Sequence, residues 1–456
     1  MKVWPWLLQG ATSPAHLRLP MLALLALGFS GALISVTANA QSSAPAKLSL
    51  RQAFEAAVSR LPETRSAPQR RDAAAAHQRA AQRWTPEPAS LDASIKTDRI
   101  GANNGSREWV AGLSVPLWMP GQRDAAQSLA LAEADLVGQA LTASSWRVAG
   151  EVRDAWWAAQ LAQLDLELAQ TRLGNAERLE ADVALRVRAG DLARSDQHQA
   201  SAAVAAAQAE LVSAKVAQGQ ALRTLRSLTG PLALALLDSQ AEPLPRDTFG
   251  ADKAPADNLA ADTAATNAAV ASVASAAALA MHPALREARA RVELARRAGS
   301  QARLQRRAAP ELALAATRGR GSAGEAYGQS ITIGLRLPLG ADDRHQAQLA
   351  NTGADLTEAE SRLAIERERI EADIAFAHMR LALARSMVDT SARRAVLASE
   401  SRGFFDKAFR LGEMDLPARL RIELEAVEAE RQHARARIEL AHATSQWRQA
   451  LGLNPV

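Results

Sequence analysis

EVRDAWWAAQL (151–161) and EADIAFAHMRL (371–381) stand 220 residues apart and share one pattern: an opening acid, small or apolar residues at steps of three and four, and a closing leucine. The seam extends both ways. Val148, Val152, Ala155, Ala159, Ala162, Leu166, Ala169 and Leu173 form it in the first stretch; Ile370, Ile374, Ala377, Leu381, Ala384 and Val388 form it in the second. A 3.5-residue repeat packs helix on helix with a left-handed twist. Alanine at many of these positions lets the backbones approach closely. Helical pattern runs from about 121 to 189 and from 342 to 411, roughly 100 Å each at 1.5 Å per residue. Helices of that length belong to coiled coils and tubes, not to compact domains.

The offset recurs along the chain. Leu61-Pro62-Glu63-Thr64-Arg65 sits against His282-Pro283-Ala284-Leu285-Arg286, and Val115-Pro116-Leu117 against Leu337-Pro338-Leu339. Arg188-Ala189-Gly190-Asp191 matches Arg410-Leu411-Gly412-Glu413, and Leu228-Thr229-Gly230 matches Ala450-Leu451-Gly452. Five matches in order at an offset of 220–222 make the chain a duplication. The organisation expected is a targeting segment (1–40), a first repeat (41–230), a linker (231–280) and a second repeat (281–456). The linker is rich in Ala, Asp and Asn, with Pro231, Pro243, Pro245 and Pro255, and has room for one short helix at 267–280. Each repeat reads as a helix (49–83; 282–308), two short alternating segments, the long helix, a glycine turn and a return helix.

The alternating segments carry their apolar residues on one face. Leu91, Ala93 and Ile95 alternate with Ser90, Asp92, Ser94 and Lys96; Trp109, Ala111, Leu113, Val115 and Leu117 alternate with Gly112 and Ser114. In the second repeat Leu312, Leu314 and Ala316 precede Ile331, Ile333, Leu335 and Leu337, with Thr332 and Arg336 opposite. Period two over about ten residues is the transmembrane β-strand pattern. Polar loops, GANNGS (101–106) and GRGSAGEA (319–326), join the pairs, and Trp84, Trp109 and Trp118 flank the first pair where interfacial aromatics belong. A soluble hairpin lying on the helices is the other reading. Four strands cannot close a barrel, and an open edge is not tolerated in lipid. Two chains give eight strands, whose interior side chains fill. Three give twelve strands with a usable channel.

The first forty residues read as an export signal. Lys2 and Arg18 precede the apolar run MLALLALGFSGALISV (21–36), and Ala38-Asn39-Ala40 offers a small-x-small cleavage site after Ala40. With no cysteine there is neither a disulfide framework nor a lipidated residue. The formal charge of +5 falls to +3 without Lys2 and Arg18, and the remaining cations interleave with acids, as in SRLAIERERIEADIAF (361–376). That is a solvated helical face, not a nucleic-acid footprint. The histidines fall at no HxxxH or HExxH spacing, and neither a phosphate loop nor a nucleophile elbow is present. Catalysis, a metal site and a cofactor are therefore not expected, and the histidines read as isolated surface residues.

The order of these features resembles the outer membrane efflux protein family, the TolC-like channels, over 48–454. The carriers are the openings Leu61-Pro62 to Arg65 and His282-Pro283 to Arg286, the strand-ending Pro116-Leu117 and Pro338-Leu339, and the segments Arg188–Leu192 and Arg410–Met414. His282–Leu285 and the run 337–344 look most like the CzcC-like heavy-metal branch. The resemblance implies a mainly helical fold in which duplicated hairpins form a trimeric α-barrel joined to a 12-stranded β-barrel. It implies an outer-membrane efflux conduit whose periplasmic tips meet an adaptor served by an inner-membrane pump, with heavy-metal cations as possible cargo. The lipid-facing residues would include Trp109, Leu113, Val115, Ile331, Ile333 and Leu335. The tips would be Gly190, Asp191, Asp196, Gly412, Glu413 and Asp415, although Ala418 stands where the family pattern repeats the acid of Asp196. Two readings of these acids stay open, an aperture ring and ordinary helix-start chemistry. The competing function is a periplasmic coiled-coil adaptor or scaffold outside any membrane.

Overall fold

The computed structural model describes residues 48–101, 103–231, 237–245, 278–339 and 343–456. The export segment, its cleavage site and residues 267–277 of the expected linker helix lie outside them.

The helix expected over 49–83 is two: α1 (Leu50–Arg60) and α2 (Pro62–Gln82). Leu61 takes ψ 132° because the ring of Pro62 excludes the helical region from the residue before it. Ser49 and Gln52 close α1 with a reciprocal capping box. Next come β1 (Ser90–Thr97), β2 (Arg107–Pro116), the 68-residue α3 (Gln122–Ala189) and α4 (Arg194–Thr229). The second repeat supplies α5 (Pro283–Leu304), β3 (Glu311–Arg320), β4 (Gly328–Arg336), α6 (Asp343–Arg410), again 68 residues, and α7 (Leu416–Ala450).

The strands form one antiparallel sheet in the order β1-β2-β3-β4, so the two repeats join edge to edge through β2 and β3. Beneath it α2, α3, α5 and α6 pack side by side in that order. Gln122 Nε2 donates to the Leu304 carbonyl (3.0 Å) and Arg123 Nη2 to the Gln82 carbonyl (2.6 Å), tying the helix ends under the strands. Further down, α5 and α2 end, α7 and α4 take their places, and the order becomes α4, α3, α7, α6. Every tier is four elements wide, and α3 and α6 run through both helical tiers. Where the tiers meet, α1 and the linker residues 237–245 wrap the joint. Leu48 bridges Leu237, and Val148, Val152, Ala155, Trp156 and Ala159 pack with Leu50, Ala53 and Ala57. The seam read from the sequence is thus buried in α3 as far as Ala169; in α6 Ile370, Ile374, Ala377 and Leu381 are buried, while Ala384 and Val388 are half-buried.

Candidate functional site

The sheet's register places its apolar residues in rows. Leu91, Leu113, Leu314 and Ile333 stand in one cross-strand line, and Ala93, Ala111, Ala316 and Ile331 in the next; Val115, Leu312 and Leu335 align in a third. All belong to the same face, which is solvent-facing in the single chain: Ile333 is 75% exposed and Ile331 77%. The opposite face carries Ser90, Asp92, Ser94, Ser114, Thr317, Ser330 and Thr332. Burial of apolar side chains is the usual drive for sheet formation, and here none of the described residues lies over the apolar side. Trp109 lies near the loop end of the face, and Trp84 and Trp118 lie at the helix end, where Trp118 Nε1 donates to the Arg83 carbonyl. Among the described residues β1 and β4 each leave an edge without a partner strand.

The far ends of α3 and α6 are built alike. Gly190 (φ 88°) and Gly412 (φ 78°) turn left-handed, a conformation that glycine adopts without Cβ strain. The Asp191 N–H donates to the Arg186 carbonyl (2.9 Å) and the Glu413 N–H to the Ala408 carbonyl (3.0 Å), the Schellman closure. Asp196 and Asp415 start the return helices: Asp196 Oδ2 accepts from the Ala193 N–H (3.1 Å), and Asp415 Oδ1 accepts from the Ala418 N–H (3.3 Å). The helix-start chemistry is therefore present at both. Asp191 and Glu413 are exposed and pair with no cation among the described residues. Of the nearby arginines, Arg410 (2.7 Å) and Arg419 (2.8 Å) pair with Asp406 and Arg188 donates to the Ala184 carbonyl, while Arg194 is exposed and pairs with no acid among the described residues.

Sequence reasoning missed what holds the tips together. Phe409 is fully buried with Val183, Ala200 and Leu416, and the guanidinium carbons of Arg186 and Arg419 lie 4.8 and 4.5 Å from its ring centroid. One aromatic thus joins α3, α4, α6 and α7 between two cations. Its signal was an aromatic one turn before the tip glycine with an arginine on either hairpin, legible only once the hairpins are side by side.

The joint between tiers was missed as well. Arg153 (1% exposed) grips Glu242 (2%) through Nε–Oε2 at 2.9 Å and Nη2–Oε1 at 3.0 Å, and Arg448 Nε lies 3.2 Å from the same carboxylate. Arg153 also donates to Gln449 and to the Leu453 carbonyl, and Arg448 to the Pro243 carbonyl. Desolvation lowers the pKa of Arg448 although Glu242 opposes it. Glu242 sits in the stretch read as plain linker. The histidines, too, are not all isolated surface residues. His77 pairs with Glu133, and His442 with Asp154 at 3.0 Å, a bond that lowers the Asp154 pKa. His282 is 1% exposed, its ring edge-on to Trp146 at 4.7 Å, and burial pushes its pKa down to about 4. Both His282 ring nitrogens lack a partner. Among the described residues no three His, Asp or Glu gather as metal ligands, and no helix is long and apolar enough to cross a membrane.

Residues 39–231 match the model of the outer membrane efflux protein family. No curated protein sequence matches the chain. Among solved structures the chain is similar to CusC, from work describing conformational changes that accompany folding and transmembrane channel formation: 15% identity and a TM-score of 0.67 over 89% of this chain and 92% of that one. It is similar to the outer membrane protein VceC of Vibrio cholerae (16%, 0.66, covering 89% and 96%). The open MtrE outer membrane channel of Neisseria gonorrhoeae matches comparably (18%, 0.66, 89% of each chain). At these identities the likeness is one of fold. The family match covers the first repeat, and the likeness of fold extends over both.

Proposed function

We propose that this chain, whose first repeat is that of the outer membrane efflux protein family, is the outer-membrane channel subunit of an efflux system. The observation that carries the reading is the sheet: its large apolar side chains, Val110 apart, lie on one face that no described residue covers, and both edges are unpaired among the described residues. In water that arrangement costs stability and invites edge-to-edge association. In a bilayer the same face is solvated by lipid, provided that the edges close on other copies. Three copies close twelve strands and, in each tier below, twelve helices, into one continuous tube.

The tips at Gly190 and Gly412 are its periplasmic end, where an adaptor joins it to an inner-membrane pump. Asp191 and Glu413, in direct ion pairs with none of the described arginines around them, bring negative charge to that end and favour cations. Cargo is set by the pump, and metal cations are the class implied by the resemblance of His282–Leu285. The reading is tested by extraction and conductance. The protein should leave membranes only with detergent, have the mass of three chains, and form cation-selective pores in planar bilayers. A mature protein that is soluble without detergent and silent in bilayers would instead be a periplasmic scaffold.

A further inference from the structure

We propose that the loop-end rim of the sheet's apolar face is a binding site for phosphate-bearing lipid headgroups of the outer leaflet; the inference rests on the membrane reading above. Along β2 the face carries Val115, Leu113, Ala111, Trp109 and then Arg107. Along β3 it carries Leu312, Leu314, Ala316 and then Arg318 and Arg320. From the helix end toward the loops the order is aliphatic, aromatic, cationic, which is the order in which a lipid presents its tail, glycerol level and headgroup. Tyr327, just before β4, completes the belt at this level.

Charge pairing singles out the rim. The other charged cross-strand pairs are complementary: Lys96 stands opposite Glu108, and Glu311 opposite Arg336. Both belong to the polar face. Arg107 stands opposite Arg320, with Arg318 one row away beside Trp109. Like charges placed directly opposite destabilise a sheet, and no carboxylate pairs with any of the three among the described residues. A bridging anion removes that cost.

The arginines are also held in place. The Arg318 and Arg320 guanidinium carbons lie 5.2 and 5.1 Å from the Tyr327 ring centroid, and Arg320 Nε donates to the Gly105 carbonyl (3.1 Å). The two loops are joined by the Ala323 N–H donating to the Asn104 carbonyl at 2.8 Å. Planar guanidiniums stacked on an aromatic match phosphate oxygens in a bidentate way that a lysine cannot.

The test uses the full protein in nanodiscs of phosphatidylcholine doped with lipid A or with the same lipid stripped of its phosphates. Lipid retained through extraction is read by native mass spectrometry. Phosphorylated lipid should be retained over its dephosphorylated form by roughly a hundredfold, the scale of three arginines at an anionic lipid surface. Arg107→Gln, Arg318→Gln and Arg320→Gln together should abolish the preference while leaving trimer mass and conductance intact. The corresponding lysine triple should keep only part of it. Excess inorganic phosphate should not displace the lipid; displacement would mean a free-anion site and overturn the lipid assignment. Insertion with equal retention of both lipids, or an unchanged preference in the glutamine triple, would overturn the site while leaving the channel reading standing. Failure of the wild-type protein to insert at all would sink that reading as well.

Discussion

Replacing Glu242 by glutamine removes one charge from a place that holds three. Among the described residues Glu242 is the only acid paired with Arg153 and Arg448 in the buried joint, with contacts of 2.9, 3.0 and 3.2 Å. Charge centres about 4 Å apart attract by roughly 4 kcal/mol at an effective dielectric near 20. Two such attractions are lost, and two guanidiniums are left side by side. The glutamine amide recovers part of the hydrogen bonding, so the net cost falls near 3–5 kcal/mol, the scale for breaking a buried pair. Chemical denaturation followed by circular dichroism, in detergent, measures it. Limited proteolysis should show the segment 237–245 released in the variant before the helices melt. Exchanging Arg153 and Glu242 together for methionine should cost less than Glu242→Gln alone, because no uncompensated pair of cations remains. If Glu242→Gln stays within about 1 kcal/mol of the parent, the joint is not held electrostatically and this account of it is wrong.

Leu113→Arg or Ile333→Arg should cost roughly 2–4 kcal/mol per chain in membranes, whereas Thr332→Arg on the polar face should be tolerated; equal effects in a bilayer-folding assay would place neither face in lipid. His282 titrates near 4 when folded against 6.5 when free, so the unfolded chain binds its proton first. Its stabilising contribution is complete above about pH 6.5 and is lost toward pH 4, a fall on the order of 3 kcal/mol that thermal melts should show in the parent and not in His282→Leu. Leucine is what the first repeat carries there, at Leu61. Phe409→Ala should cost about 3–5 kcal/mol at the tips, read as earlier melting and larger, noisier single-channel openings; unchanged channels would mean that the tips are held by something else. Asp191→Asn with Glu413→Asn should reduce cation selectivity by reversal potential, whereas Asp196→Asn and Asp415→Asn, which act on helix starts, should mainly lower stability.

The helical seam and the one-faced strands were legible in the sequence because each is a local periodicity, visible within a dozen residues. The tip glycines were legible for the same reason: one residue type meets one backbone requirement. The tip acids were half legible. Their residue types suggested both helix starting and an aperture, and only the bonds from the Ala193 and Ala418 N–H groups separate Asp196 and Asp415 from Asp191 and Glu413. Glu242 was invisible because its partners lie 89 and 206 positions away and nothing in an Ala/Pro-rich stretch marks one acid as buried. His282 was misread because no HxxxH partner implied an exposed residue. The duplication sets it where the half-buried Leu61 sits in the first repeat, which points toward the core rather than the surface. The break at Leu61 could have been read from Pro62 alone.

The two unbroken helices are equally long, 68 residues each, and this makes them matched rulers. Both are fixed to the sheet at one end and to the shared Phe409 cluster at the other, so whatever is added to one must be added to the other. A single inserted residue in α3 alone advances its tip by 1.5 Å and swings every later side chain by about 100°, taking Val183 off Phe409. Seven residues removed from both leave the seam in phase and draw the tips about 10 Å closer to the sheet. Length in this architecture is therefore inherited by pairs and in whole heptads. A chain of this kind found with one ruler shorter than the other should also be found with a rebuilt tip.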